Sequence, residues 1–189
     1  MVSQNYRYNA SFRAVQRLVM EGELGELRAA TGCEVSSVYA HSWRVPDSPF
    51  VHHPAVAAIL GLDDGVPVIY QGDGATHKPE TSWNGDWEIV GDAGRMLWSG
   101  SEVDRGTGEV ILERWGEEAR LVEQRDLEFV EREATLQALR AAIESSAPPE
   151  TVAANNVKSL AAMLGCVRSI ESGEPVDVAA LLAARGAKL

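Results

Sequence analysis

Cysteine is scarce in this sequence, and its two cysteines, Cys33 and Cys166, lack the paired spacing of a zinc knuckle or a redox motif. We predict that both are reduced thiols, buried or nearly so. Long apolar runs are lacking too. No stretch approaches the roughly 18 apolar residues of a membrane span, and the segment Met1 to Arg13 has no apolar run typical of a secretion signal. We therefore expect a cytoplasmic protein without a membrane partner.

Basic residues are few relative to acidic ones, since 17 Lys and Arg stand against 28 Asp and Glu and give a formal net charge of -11. Binding to nucleic acid needs clustered Lys and Arg to neutralise phosphates, so we expect no nucleic-acid partner. The 189 residues are 45% hydrophobic and 24% charged, which is enough apolar material for one sizeable core. We predict a single domain over residues 1–189.

Motifs for cofactors and metals are also lacking. The pairs Gly72-Asp73-Gly74 and Gly106-Thr107-Gly108 have no third glycine at the place that a dinucleotide fingerprint requires. The sequence has no Walker loop, no His-Glu-x-x-His and no Gly-x-Ser-x-Gly. The four histidines lack a suitably spaced acidic partner; they are His41, His52, His53 and His77. We predict no cofactor and no metal in this chain.

The pattern of apolar residues predicts a strand over Val2 to Tyr8, then a helix over residues 10–21 with Asn9 as N-cap and Gly22 as its stop. Residues 27–123 show short β-type runs. Among them, residues 55–60 and 66–70 predict a hairpin across Asp63-Asp64-Gly65, although a short helix competes for residues 54–60. The other predicted strands lie near residues 38–43, 87–90, 95–98, 110–115 and 120–123.

Two more helices are predicted over residues 129–146 and 153–171, separated by a Pro-containing break. In the second, Val157, Leu160, Ala161, Leu164 and Val167 are expected to face one way. Strands in one block followed by helices in another indicate an α+β fold, a large mostly antiparallel open sheet with helices packed on one face.

Aromatic and polar side chains are concentrated between His77 and Trp87, where Trp83 and Trp87 flank Asn84-Gly85-Asp86. Indole rings stack on the C–H faces of sugars, and the polar groups can pair with hydroxyls. The stretch therefore suggests a site for a sugar or polyol. The alternative is that both tryptophans are core or interface residues.

Four stretches occur in an informative order: residues 3–8 (SQNYRY), 21–26 (EGELGE), 81–94 (TSWNGDWEIVGDAG) and 169–176 (SIESGEPV). Together they resemble the C-terminal domain of the glucose-fructose oxidoreductase/inositol dehydrogenase/MocA (Gfo/Idh/MocA) family over nearly the whole chain. The resemblance implies an NAD(P)-dependent sugar or polyol oxidoreductase. In that family a Rossmann domain carries NAD or NADP and a catalytic Lys in a Glu-Lys-Pro motif. The C-terminal domain supplies substrate contacts and an oligomer interface through its sheet.

Two departures from the family matter. The Rossmann domain and its catalytic Lys have no counterpart in these residues. The family's catalytic His/Asp segment is missing too, because residues 28–34 run almost directly into the strand beginning near Val35. His41 comes too late, with Arg44 and Val45 where an acid is needed, so it does not inherit the role.

These features predict the substrate-side and oligomerisation domain of a sugar or polyol oxidoreductase, inactive alone. The alternative is a stand-alone oligomeric binding or scaffold module without a substrate. The expected partners are a second copy through the sheet face, a separate Rossmann subunit and a sugar or polyol. No catalytic residue is assigned. The predicted substrate-binding residues are Asn5, Arg7, Tyr8, His77, Trp83 and Trp87. For Arg7 and Tyr8, an ion pair and a packed ring are the alternative.

Overall fold

The computed structural model of the chain describes residues 5–26, 34–75, 85–99 and 108–184. In chain order, the elements are a 3-10 helix Asn5–Tyr8, α1 Ala10–Met20, β1 Val35–Trp43, β2 Ala55–Leu62, β3 Pro67–Asp73, β4 Asp86–Val90, β5 Gly94–Ser99, β6 Glu109–Arg114, β7 Arg120–Leu121, α2 Glu131–Ser145, α3 Ala153–Ser172, β8 Val176–Asp177 and α4 Val178–Ala184.

The chain divides into two compact units. The first comprises Met1–Thr31 and Thr81–Ala153, and the second comprises Gly32–Glu80 and Ala154–Leu189. Each unit has its own four-stranded antiparallel sheet, in the orders β4-β5-β6-β7 and β3-β2-β1-β8. The predicted α+β class is therefore confirmed, and the strands are divided between two sheets. Alternation identifies strands but does not specify their partners, so the sequence pattern could not predict this division.

In the first unit, α1 packs on one face of the sheet. Its buried residues Ala14, Val15 and Leu18 recur at helical spacing and meet Met96 and Leu112 of the sheet. The predicted helix, with Asn9 at the N-cap position and Gly22 at φ +74°, is confirmed. The Asn9 side chain is buried and makes no capping hydrogen bond.

The first predicted strand is wrong in its described part, because residues 5–8 form the 3-10 helix. The turn is closed by the backbone N–H of Asn9, which donates to the carbonyl oxygen of Tyr6 at 3.0 Å. Arg7 bonds to a side chain 143 residues further along the chain. Tertiary contacts of this kind override a local preference for an extended chain.

Two of the four stretches that carry the family resemblance, residues 21–26 and 81–94, meet in this unit. The backbone N–H groups of Asp92 and Ala93 donate to the carbonyl oxygens of Glu26 and Leu24, each at 3.0 Å. A Cβ atom on Gly91 would overlap the carbonyl oxygen of Leu24, so only glycine allows this approach. The turn at residues 91–94 is thus fixed against the segment that follows α1.

In the second unit, β2 and β3 form the predicted hairpin, and Gly65 adopts φ +87° in its turn. Val38 and Ala40 of β1 are buried on one sheet face, where Val38 packs with Ala161 of α3 and Val178 of α4. The alternate residues Tyr39 and His41 are exposed on the other face. The short elements β8 and α4 were not predicted from the sequence. No helix in the described ranges combines the length and apolar character that a membrane crossing requires.

Candidate functional site

The start of α1 carries two arginines that share one carboxylate. Arg7 donates from Nε and Nη2 to Oε1 of Glu150, at 3.1 and 2.7 Å. Arg13 donates to both oxygens of Glu150, at 3.1 Å to Oε1 and 2.8 Å to Oε2. The hydrogen bond from Arg13, helped by the charges of Arg13 and Arg7, lowers the pKa of Glu150 against the opposing effect of burial. Two cations around one anion leave a net positive charge at this site.

Tyr8 packs beneath this ion pair. The residue is only 8% exposed, and the guanidinium carbon of Arg13 lies 5.1 Å from the centre of its ring. Its buried hydroxyl has no hydrogen-bond partner among the residues that the structure describes, and the same holds for the amide of Asn9 and the hydroxyl of Thr151. A buried polar group without a partner costs about 1–3 kcal/mol, so these groups can be expected to bind ordered water.

Tyr8 and Arg13 also line a cavity of about 590 Å³. Its walls are one face of α1 and the irregular segment 123–129, of which Glu123, Arg125, Leu127 and Phe129 line it. The volume falls within the range of about 300–1,000 Å³ that small-molecule sites occupy.

A row of aromatic rings lies near the same end of α1. Trp87 of β4 stacks on Trp98 of β5, with ring centres 6.4 Å apart and planes 21° apart. Phe12, in the first turn of α1, meets Trp98 edge-on at 6.0 Å. Trp87 is 38% exposed, so part of its indole remains accessible. The Nε1 atom of Trp98 is buried and has no hydrogen-bond partner in the described ranges. The exposed part of Trp87 therefore offers a flat apolar surface at the end of this row.

The structure describes only some of the predicted substrate-binding residues. His77 and Trp83 lie outside the described residues, and for Asn5 only its place in the 3-10 helix is described. Arg7 and Tyr8 form the ion pair and the packed ring that were the alternative to substrate contact. Their contact with a substrate stays a prediction, as does that of Trp87.

Phe12, Arg13, Trp98 and Glu150 belong to this constellation and were missed. Phe12 fits an ordinary helical apolar stripe, and Trp98 fits an ordinary strand. Glu150 lies 137 residues from Arg13, and nothing in the local sequence indicates that contact.

A dinucleotide does not fit the described residues. Its pyrophosphate binds at a helix N-terminus directly after a strand and a glycine-rich turn. Here both sheets are antiparallel, and α1 follows a 3-10 helix without a glycine. Within the described ranges, no group of three or more His, Cys, Asp or Glu side chains is placed to hold a metal ion.

No protein-family model and no curated protein matches the sequence. Solved structures do match it. An oxidoreductase from Agrobacterium radiobacter, in complex with NAD+, L-tartaric acid and magnesium, is 16% identical, with a TM-score of 0.77 over 96% of this chain and 66% of that one. An aldose-aldose oxidoreductase from Caulobacter crescentus, complexed with glycerol, is 14% identical, with a TM-score of 0.79 over 94% of this chain and 63% of that one.

The chain thus spans slightly less than two thirds of the length of these two oxidoreductases. Identities this low show a shared fold and no more. The expectation of an oxidoreductase fold, made from the four motif stretches, is confirmed: over nearly its whole length this chain has a fold found in solved oxidoreductases.

Proposed function

We propose that this chain is the substrate-side and oligomerisation domain of an NAD(P)-dependent sugar or polyol oxidoreductase, inactive alone. The observation that carries the proposal is the unequal coverage, in which 96% of this chain matches only 66% of an NAD+-bound oxidoreductase. The unmatched third is about the size of one domain. Hydride transfer needs a nicotinamide bound by protein groups, and neither the sequence nor the described structure provides a dinucleotide site.

Calorimetric titration with NADH tests the inactive part of this proposal. We expect no binding heat with the isolated chain, because it has no glycine fingerprint to hold the pyrophosphate. A dissociation constant in the micromolar range, or on the order of 8 kcal/mol of binding free energy, would contradict the proposal.

The aromatic row supports a polyol or sugar as the substrate class. A sugar can stack a C–H face on the exposed part of Trp87, and its hydroxyls remain free to bind water or nearby polar groups. The Caulobacter relative was solved with glycerol, a polyol. Stacking and a few hydrogen bonds, set against the cost of ordering the ligand, give an expected dissociation constant of about 1 mM.

Indole fluorescence during titration with inositols and hexoses tests the site. We expect a saturable change in the wild-type protein that Trp87→Ala and Trp83→Ala weaken. Trp115→Ala is the matched control, since this half-exposed indole lies just after β6 and outside the row. If no polyol changes the spectrum at high concentration, the alternative function, an oligomeric binding or scaffold module without a substrate, is favoured.

The exposed face of the second unit's sheet supports the oligomerisation role. Tyr39, Ile59 and Ile69 lie side by side across β1, β2 and β3, and Ile69 is 80% exposed. Soluble monomers rarely leave a contiguous apolar patch of this kind uncovered. A second copy placed face to face on it would bury both patches in one two-fold contact.

A further inference from the structure

The cavity of about 590 Å³ beside α1 has an apolar part near the start of the helix. Ala10 and Ala14 lie one helical turn apart and line the same wall. Their small side chains leave space in front of Leu127 and Phe129, which line the wall formed by segment 123–129. This part of the cavity can therefore take up an apolar group of considerable size.

The other part of the cavity is charged. It adjoins a second cavity of about 750 Å³, and the residues that line both are Arg17, Glu21, Glu123 and Arg125. Arg17 pairs with Glu21 at 3.2 Å. The side chains of Glu123 and Arg125 make no hydrogen bond or ion pair in the part of the chain that the structure describes, although their Cα atoms are at most about 7 Å apart. One unpaired anion and one unpaired cation thus lie next to the apolar part.

We propose that this cavity binds an α-amino acid with a large apolar side chain. The guanidinium of Arg125 has the planar fork that matches a carboxylate, and the carboxylate of Glu123 accepts hydrogen bonds from an ammonium group. An α-amino acid carries both groups on one carbon atom. Its side chain then lies between α1 and the pair Leu127 and Phe129, where burial of apolar surface adds to the affinity.

The charges of the cavity favour a ligand with both signs over a ligand with one. The other two arginines that line it, Arg13 and Arg17, are already paired with carboxylates. A ligand with negative charge alone would bring that charge next to the unpaired carboxylate of Glu123. A ligand with positive charge alone would face the unpaired guanidinium of Arg125. Only a ligand that carries both charges pairs with both residues.

This site goes beyond the proposed function and does not depend on it. Phe12, through which α1 meets the aromatic row, lies about 160° around the helix from Ala10 and from Ala14. The cavity and the aromatic row are therefore on opposite flanks of α1. A ligand in the cavity would not contact Trp87.

Calorimetric titration of the intact chain with three related compounds tests the ligand class. The probes are L-phenylalanine, phenylpropionate, which lacks the ammonium group, and phenethylamine, which lacks the carboxylate. We expect saturable binding of L-phenylalanine and binding weaker by about tenfold for each of the others, the effect of one lost charge-assisted hydrogen bond. Absence of saturable heat from L-phenylalanine up to about 10 mM would refute the site. Equal binding of phenylpropionate and L-phenylalanine would also overturn the proposal, because the ligand would then be a simple carboxylate.

Two substitutions test the role of each charge. Arg125→Gln should weaken L-phenylalanine by about tenfold without weakening phenethylamine, and Glu123→Gln should weaken L-phenylalanine without weakening phenylpropionate. General damage to the fold would weaken all three compounds together, so this selective loss identifies the pairing. Arg132→Gln and Glu128→Gln are the matched controls, since both are exposed and line neither cavity. An equal loss of affinity in the controls would contradict the assignment.

Filling the apolar part tests where the side chain of the ligand lies. Ala10→Leu should abolish binding of L-phenylalanine with unchanged far-UV circular dichroism, and Ala10→Val provides the same test if Ala10→Leu does not fold. Undiminished binding to a folded Ala10 variant would overturn the proposal. Trp87→Ala should leave the binding of L-phenylalanine unchanged. If Trp87→Ala abolishes it, the amino acid binds at the aromatic row and the cavity site is refuted.

Discussion

At the residue scale, Glu150 holds the start of α1 through two arginines, and this contact depends on pH. Because the pKa of Glu150 is lowered below the ordinary value of about 4.5, its stabilising effect is fully present above that pH. It is lost as the pH falls through the lower pKa of the folded state. We expect Glu150→Gln to reduce the free energy of unfolding by about 1 kcal/mol at pH 7, a modest value because the side chain is 36% exposed, and by less at pH 3.

Urea denaturation at fixed chain concentration measures this effect. Glu144→Gln is the control, since Glu144 pairs with Arg140 on α2 and its side chain is 62% exposed. This change should cost less than about 0.5 kcal/mol at either pH. Equal effects of the two variants, or an effect of Glu150→Gln that does not change between pH 7 and pH 3, would contradict the assignment.

Gly91 is a position where adding a single methyl group is expected to destabilise the fold. A methyl group there would overlap the backbone carbonyl of buried Leu24, and a backbone atom cannot move aside as a flexible side chain can. Gly91→Ala should therefore cost about 3 kcal/mol. Gly74→Ala is the matched control: the nearest atom to a Cβ there is the Pro54 carbonyl oxygen at 3.8 Å, an ordinary contact. It should change the free energy of unfolding by less than about 0.5 kcal/mol, and similar effects at the two glycines would refute the explanation.

At the element scale, the sequence pattern correctly predicted those elements whose structure depends mainly on neighbouring residues. Alternation identified β1, and the Asp63-Asp64-Gly65 turn identified the β2–β3 hairpin, because side-chain direction and turn geometry are properties of short segments. The strand predicted over Val2 to Tyr8 failed where Arg7 is held by the distant Glu150.

Helix α3 shows a different limit of sequence patterns. Its predicted apolar face combined Ala161 with Leu160, Leu164 and Val167, but only Ala161 of these is buried. Periodicity shows that a helix has an apolar face, whereas the distance of the helix from its sheet decides which side chains fit between them. Here the contact of Gly165 with Val38 makes that distance short, and the leucines remain outside. The candidate site was missed for a different reason: its parts are far apart in the sequence, as Arg13 and Glu150 are, 137 residues from each other.

At the scale of the whole molecule, net charge and apolar surface act in opposite directions. Each copy carries a formal charge of -11, so copies repel one another, and any association through Ile69 and its neighbours must overcome that repulsion. Salt shortens the screening length from about 10 Å at 0.1 M to about 3 Å at 1 M and leaves apolar burial in place. Association through the sheet should therefore strengthen as salt is added.

Sedimentation equilibrium at a series of salt concentrations measures the contact through the sheet. We expect its dissociation constant to fall severalfold between low and high sodium chloride, because screening removes repulsion and the Tyr39, Ile59 and Ile69 face needs no ion pair. Ile69→Lys supplies the control: it lowers the net negative charge by one unit, which reduces repulsion, yet it should abolish the contact because a charge would be buried without a partner. Weaker association at high salt, or tighter association of Ile69→Lys, would mean that charge pairs rather than apolar burial hold the copies together.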